Sequence, residues 1–452
     1  MYLLGVLVLA VGVGVSIALH ELGHLVPAKL FGVKVTQYMI GFGPTLWSRR
    51  RGETEYGIKA IPLGGYCRMI GMLPPRPHDR PGQLRASTTG RISQMTEQAR
   101  AESMQEIQPG DEDRVFYKLA SWKKLVVMCG GIATNLLIAV VLLTGIVTLY
   151  GLPKVTAAEI ADVVPCVPPA SQVVQRPAGA DPTKPDCSGL PASPAQQSGL
   201  QRGDRLVSVA GEKITTPDDA STAFRSHGGD RIPVVVQRDG RQVTLHMTPA
   251  VTERPVLDDQ GEPVTGADGQ PVMEKVGVVG TLIGAQSTVV RQPVTQAPAV
   301  VGSALGQTFS LFFHIPEKMV GVWHAAFDSQ QRAADSPMSI VGAGRIAGDA
   351  TDAAGVGPVA KLVFLISLIA SLNIALFVFN LIPLLPMDGG HAAGALWEAV
   401  KRAFARVTGR GDPGYVDVAK GLPVAYGVSM VLIVMSVLLI YADLVNPIQL
   451  GG

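Results

Sequence analysis

Four stretches of the chain run without a single Asp, Glu, Lys or Arg: Met1 to His20, Leu125 to Pro153, Leu362 to Met387 and Gly421 to Ala442. Crossing the hydrocarbon core of a bilayer takes about 20 apolar helical residues, so each stretch predicts a spanning helix. A fifth uncharged stretch, Gln292 to Pro316, has a different character. It holds three glutamines, and Val300, Val301, Ala304, Leu305, Phe309, Phe312 and Phe313 fall on one helical stripe, the pattern of an amphipathic helix lying on a surface. A cleaved signal peptide is the alternative for the first stretch. No basic residue precedes its apolar run, however, and it continues directly into residues that carry chemistry.

Basic residues orient these helices. Arg49, Arg50 and Arg51 follow the first span, Lys118, Lys123 and Lys124 precede the second, and Lys401, Arg402 and Arg406 follow the third, so these flanks are expected on the cytoplasmic side. The amino terminus, the segment between spans two and three and the carboxyl terminus then face outside. Composition agrees with a membrane protein: 16% of residues are charged, against roughly 25% in soluble globular chains. The formal charge of +2 gives no case for a nucleic-acid partner.

The remaining segments complete a domain plan. Residues 1–28 form the first transmembrane helix and 33–72 a membrane-associated β-loop region, with Glu53 to Met72 read as strands around a Pro62-Leu63-Gly64-Gly65 turn. Residues 73–117, rich in Pro, Arg, Ser and Gln, are expected to be a flexible cytoplasmic insertion, before the second transmembrane helix at 118–153. Residues 154–290 are polar with short strands, and the run Ser198 to Gly211, followed by an amphipathic stretch and two strands, resembles a PDZ domain. Amphipathic juxtamembrane helices and a loop follow at 291–360, the third transmembrane helix with an Asp-Gly-Gly motif at 361–400, a cytoplasmic loop at 401–420, and the fourth transmembrane helix and tail at 421–452. Four cysteines exclude a disulfide scaffold. Cys166 and Cys187, in a Pro-rich stretch on the oxidising side, are disulfide candidates, and Cys67 and Cys129 are expected as free thiols.

The first span ends in His20-Glu21-Leu22-Gly23-His24. Four-residue spacing puts both imidazoles on one helix face, one turn apart, where they can share a zinc ion, while the intervening carboxylate takes a proton from a water that the metal acidifies. Buried His and Glu in an apolar helix are costly and are normally functional. Catalytic zinc needs a third protein ligand and an open position. Asp388, closing the run Asn380-Leu-Ile-Pro-Leu-Leu-Pro-Met-Asp388-Gly-Gly-His391 at the same membrane depth, is the natural one. A metal or proton transporter is the rival reading, since ion paths also bury His, Glu and Asp.

HExxH in one span with Asn-x-x-Pro...Asp-Gly in a later one resembles the site-2 protease family of intramembrane zinc metalloproteases. Gly41-Phe42-Gly43-Pro44, the Pro62 to Tyr66 loop, Gly130-Gly131-Ile-Ala-Thr-Asn135 and Ser336 to Ile340 are similar to that family too. Where the family has Gly-Pro, this chain has Gly131-Ile132, and only one PDZ-like unit is evident. The resemblance implies a polytopic α-helical protein of a bacterial cytoplasmic membrane, with four transmembrane helices, a membrane-associated β-loop and an extracytoplasmic PDZ-like, mainly β, domain. It also implies one Zn2+ per chain and substrates that are single-pass membrane proteins, above all anti-sigma factors already trimmed by a first protease. A substrate helix must be unwound before its backbone can be cut. Gly64, Gly65 and Tyr66 on the β-loop, with the Asn380 amide, are the expected contacts for the extended strand, and the PDZ-like domain is either a peptide receptor or a size filter.

Overall fold

The computed structural model describes residues 1–75, 91–170, 184–256, 264, 266, 271–328, 332 and 336–448. Internal packing divides the chain into two units, Met1–Leu149 with Pro293–Gly451, and Tyr150–Gln292.

Among the described residues, four helices of the first unit are long and apolar enough to cross a membrane. They are α1 (Tyr2–Leu30), α3 (Ser121–Gly145, extended by a π-turn over Ile146–Tyr150), α9 (Pro358–Asn380) and α11 (Leu422–Val445, preceded by a 3-10 turn over Val418–Gly421). Each expected span is therefore present, with two shifts that matter. Lys123 and Lys124 lie inside α3 instead of ahead of it, and Lys124 is buried. The third span does not run on to Met387. It stops at Asn380, because Pro383 and Pro386 have no amide hydrogen to donate and cannot continue a helix, and a separate amphipathic helix, α10 (Asp388–Val407), begins at the Asp-Gly-Gly motif. That helix also takes up the start of the stretch expected as a loop at 401–420.

The expected amphipathic helix is found as α6 (Ala297–Phe313), followed by α7 (Ile315–Phe327) and α8 (Ile340–Asp352). Ala304, Leu305, Phe309 and Phe312 pack on Ala139, Ile374 and Val378 of α3 and α9, so the stripe faces the bundle. Phe313 does not share it and is 74% exposed.

After α1 the chain forms two long irregular strands, β1 (Val35–Arg51) and β2 (Thr54–Met69). The first half of β1 is paired on both sides, Ile40 with Ile58 and with Gly65, while its second half pairs only with the start of β2, Trp47 with Ile58. Pro62 to Gly65 therefore does not hairpin two neighbours. It carries the chain across the end of the central strand, and the two halves of β2 flank β1. Tyr38 Oη donates to the Ala18 carbonyl of α1 at 2.6 Å, tying this sheet to the first span.

Residues 73–117 are less featureless than their composition suggests. Residues 76–90 lie outside the described residues, but Arg91–Gln105 forms α2, a run rich in Gln, Glu, Ala and Arg, all good helix formers. Arg100 of α2 is buried, bonded to Asp417 at 3.0 and 3.1 Å. Arg114 grips both carboxylate oxygens of Glu53 at 2.8 and 2.9 Å, which holds that carboxyl below its usual range.

The second unit is built on a sheet ordered β10-β3-β4-β6-β7, from β3 (Leu152–Val163), β4 (Arg205–Val209), β6 (Ile232–Arg238), β7 (Arg241–Met247) and β10 (Thr281–Val290), with β5 (Glu212–Lys213) beside β4 and a separate ribbon of β8 (Ala250–Pro255) and β9 (Met273–Val278). Two short helices, α4 (Pro194–Gln197) and α5 (Pro217–Ser226), belong to it. Ala220, Ala223 and Phe224 of α5 join Ile160, Leu206 and Val236 in its core. Thr216 and Asp219 form a capping box at the start of α5, and the hydrogen bonds that Thr215 and Thr216 donate hold the Asp219 carboxyl down at about 2. Cys166 and Cys187 are joined as a disulfide with their Cα atoms 5.7 Å apart, and Cys67 and Cys129 are free. Strand β10 pairs antiparallel with β3 along its whole length, from Thr281 opposite Val163 to Val290 opposite Leu152.

Candidate metal centre

Three ligand atoms from two distant parts of the chain converge in the helical unit: His20 Nε2, His24 Nε2 and Asp388 Oδ2. The two histidines stand one turn apart on α1, as four-residue spacing dictates. Their Nε2 atoms are 3.3 Å apart, and each lies 3.2 Å from Asp388 Oδ2. The edge of a tetrahedron with ligands at zinc distance, 2.0–2.1 Å from the centre, is about 3.3 Å. The triangle is thus one face of such a tetrahedron. Asp388 Oδ2 is buried and stands equally close to both rings, so all three donor atoms border one small space. Two imidazole nitrogens and one carboxylate oxygen are also the donor types that zinc takes. The residues fit the ion.

Neighbouring backbone sets these side chains. His24 Nδ1 lies 2.8 Å from the Val127 carbonyl of α3. A carbonyl can only accept, so Nδ1 carries the hydrogen and Nε2 keeps its lone pair for a metal. Helices α1 and α3 come close enough for this because glycines line the crossing. A Cβ at Gly23 would stand 2.5 Å from the Gly130 carbonyl oxygen, and one at Gly131 would overlap the His24 ring. Asp388 opens α10, and the two glycines behind it let that first turn rest on the linker. A Cβ at Gly389 would stand 2.7 Å from the Asn380 carbonyl oxygen, and one at Gly390 would stand 2.6 Å from the Leu385 nitrogen.

Glu21 is buried beside His20. Gly65 of β2 packs on it, since a Cβ there would come within 2.9 Å of Glu21 Cγ. Of the residues expected to hold substrate, Gly65 is therefore next to the centre. Gly64 has a positive φ of 103° with the Phe42 ring against it, and Tyr66 stacks on Phe42 at 6.2 Å. Asn380 ends α9, eight positions before Asp388. His391 and Cys67 are not among the converging ligands, and burial pushes the Cys67 thiol up to about 12. The ion pair of Lys124 with Glu398, which sequence reasoning passed over, lies on the α3 and α10 seam. A glutamate ten residues along an amphipathic helix reads as solvated, and only the apolar residues around it hinted otherwise.

Residues 8–410 match the model of Peptidase family M50. Zinc metalloprotease Rip1 of Mycobacterium tuberculosis is 34% identical over 454 aligned residues, covering 100% of this chain and 99% of the relative. Zinc metalloprotease Rip1 of Mycolicibacterium smegmatis is 33% identical with the same coverage. With four helices of membrane-crossing length and three ligand atoms at the spacing of a zinc site, the chain belongs to Peptidase family M50 and is a zinc metalloprotease.

Proposed function

We propose that this chain hydrolyses peptide bonds within transmembrane segments of single-pass membrane proteins, with His20, His24 and Asp388 holding one zinc ion and Glu21 as general base and acid. The observation that carries this reading is the triangle of ligand atoms, with its 3.2 and 3.3 Å edges, built where α1 meets α10 and with the buried Glu21 beside it. Zinc held there supplies Lewis acidity, polarising a peptide carbonyl and acidifying water. Glu21 takes the proton of the attacking water as its oxygen bonds to the carbonyl carbon, then delivers it to the amide nitrogen as the C–N bond breaks. The irregular sheet presents Gly64, Gly65 and Tyr66 to an extended substrate, and the Asn380 amide bonds its backbone. Non-helical backbone at membrane depth is tolerated only inside protein or beside water, and the packing of Gly65 on Glu21 supports a protein-lined place for it.

The β unit is PDZ-like and extracytoplasmic in this reading, the zinc site lies toward the cytoplasmic side of a bacterial inner membrane, and the substrate is an anti-sigma factor already trimmed outside. Between its two possible roles, the sheet supports a size filter over a peptide receptor. PDZ-type recognition adds a strand to a free sheet edge, but here β10 already takes the β3 edge, and Val279 and Ile283 fill the apolar space next to Ile160 and Phe224.

Purified protein tests the assignment. Glu21→Gln is expected to keep zinc and cut turnover of a model transmembrane substrate by about 10²–10⁴-fold, and Ala at His20, His24 or Asp388 to lose zinc in metal analysis. Full zinc in Asp388→Ala would reject the third ligand.

A further inference from the structure

Asp388 is the first residue of a helix separate from the span before it, so its carboxylate goes where α10 goes. Helix α10 packs on α3, and of its buried residues, Gly389, Ala395, Glu398 and Ala405, Glu398 alone is charged, at 2% exposure. Its carboxylate accepts from Lys124 Nζ at 2.8 and 3.0 Å, from Ser121 Oγ at 3.2 Å and from the Val416 amide at 3.3 Å, and Arg402 stands 3.2 Å away. Lys124 is itself 5% exposed. A fully desolvated ion pair adds little net stability compared with apolar residues of the same size, but it has one good geometry, whereas an apolar seam of small residues can slide. Lys124 lies three residues before Val127 on α3, and Val127 is the residue whose carbonyl sets the His24 ring.

We propose that Lys124 and Glu398 are positioning residues of the metal centre. Helix α3 serves as the common reference: through Val127 and the Gly23 and Gly130 crossing it places the histidines, and through Lys124 it fixes the register of α10 and so brings Asp388 to the third corner of the triangle. The inference rests on Asp388 being the third ligand. It goes further in making the site depend on a charge pair that touches neither metal nor substrate.

Zinc affinity, measured on purified full-length protein by competition with a chelating dye, reads this directly, with helix content and thermal unfolding of the metal-free protein followed alongside. Lys124→Met and Glu398→Gln are expected to weaken zinc binding by about 10–100-fold, the range for outer partners of metal ligands, and Lys124→Arg, which keeps the pair, to stay within about threefold of the parent protein. Glu398→Gln leaves the buried Lys124 without its carboxylate, and Lys124→Met leaves Glu398 with Arg402 as its remaining cation, so each single variant is the more exposed to misfolding. The double variant Lys124→Met with Glu398→Met avoids this. It is expected to unfold at or above the parent temperature without metal while still binding zinc at least about tenfold more weakly, a split that a merely structural pair would not give. Parent zinc affinity in the folded double variant overturns the proposal. Asp388→Ala is measured in parallel: loss of zinc there with no loss in the pair variants rejects positioning alone, whereas unchanged zinc in Asp388→Ala rejects the ligand assignment and the proposal with it.

Discussion

The His24 imidazole is held by Val127, at 2.8 Å, across the crossing of two membrane helices. A side chain on one helix and a backbone carbonyl on another thus settle which ring nitrogen carries the hydrogen and which keeps its lone pair. The glycine one turn along from Val127 matters for the same reason. Gly131→Ala is expected to push the His24 ring off its place, because the new methyl would overlap the ring, and to weaken zinc binding by about 10–100-fold with helix content unchanged. Chelator competition measures it, and parent affinity would show that the ring has room to move.

Asn380→Leu keeps the shape of the side chain and removes its amide. Zinc content should stay at the parent level, while cleavage of a model transmembrane substrate falls by about tenfold, the cost of roughly one well-made hydrogen bond. Parent turnover would leave Asn380 only its place at the end of α9.

The size-filter reading predicts a difference between substrates. With residues 152–290 replaced by a short Gly-Ser linker, cleavage of a substrate that keeps its folded ectodomain should rise at least about tenfold, the direction expected when a steric barrier to access is removed, while a pretrimmed substrate is cut as before. Equal cleavage of both substrates by the intact protein would defeat the filter.

Acid should loosen the start of α5 over a definite window. The Asp219 carboxyl is lowered to about 2 by Thr215 and Thr216. A lowered folded-state value means stabilisation that is complete above the ordinary carboxylate range, near 4, and lost as pH falls through 2. Hydrogen exchange at the Thr216 and Asp219 amides should therefore gain protection between about pH 2 and 4 beyond the intrinsic trend, and Asp219→Asn should abolish that gain. An unchanged profile in Asp219→Asn would assign the protection to packing.

Much of this was legible in the sequence, for identifiable reasons. A span without charge admits few structures but a helix, and His20 and His24 meet because four residues make about one turn, so the spans and the two histidines followed from local rules. The meeting of Asp388 with the two histidines was legible, but not its place at the head of a new helix, since uncharged composition runs straight through Pro383 and Pro386 and only the missing amide hydrogens mark the break. The burial of Lys124 and Glu398 depends on partners 274 positions apart, which no window of sequence contains. Helix α2 was hidden for the opposite reason: its polar composition resembles a linker, and Arg100 is buried where the distant Asp417 and the Pro74 carbonyl meet it.

Strands β3 and β10 are the first and last strands of the inserted unit, and they lie side by side, with Val290 opposite Leu152 where the chain enters and leaves. Neighbouring strands stand about 4.8 Å apart, so the chain enters and leaves this unit at adjacent points. Such a graft asks the host chain for a single gap one strand spacing wide, whatever its cargo. Lengthening the loops or exchanging the sheet for another leaves that gap unaltered, so the inserted unit of this protease is free to change in size and shape without any accompanying adjustment where His20, His24 and Asp388 meet.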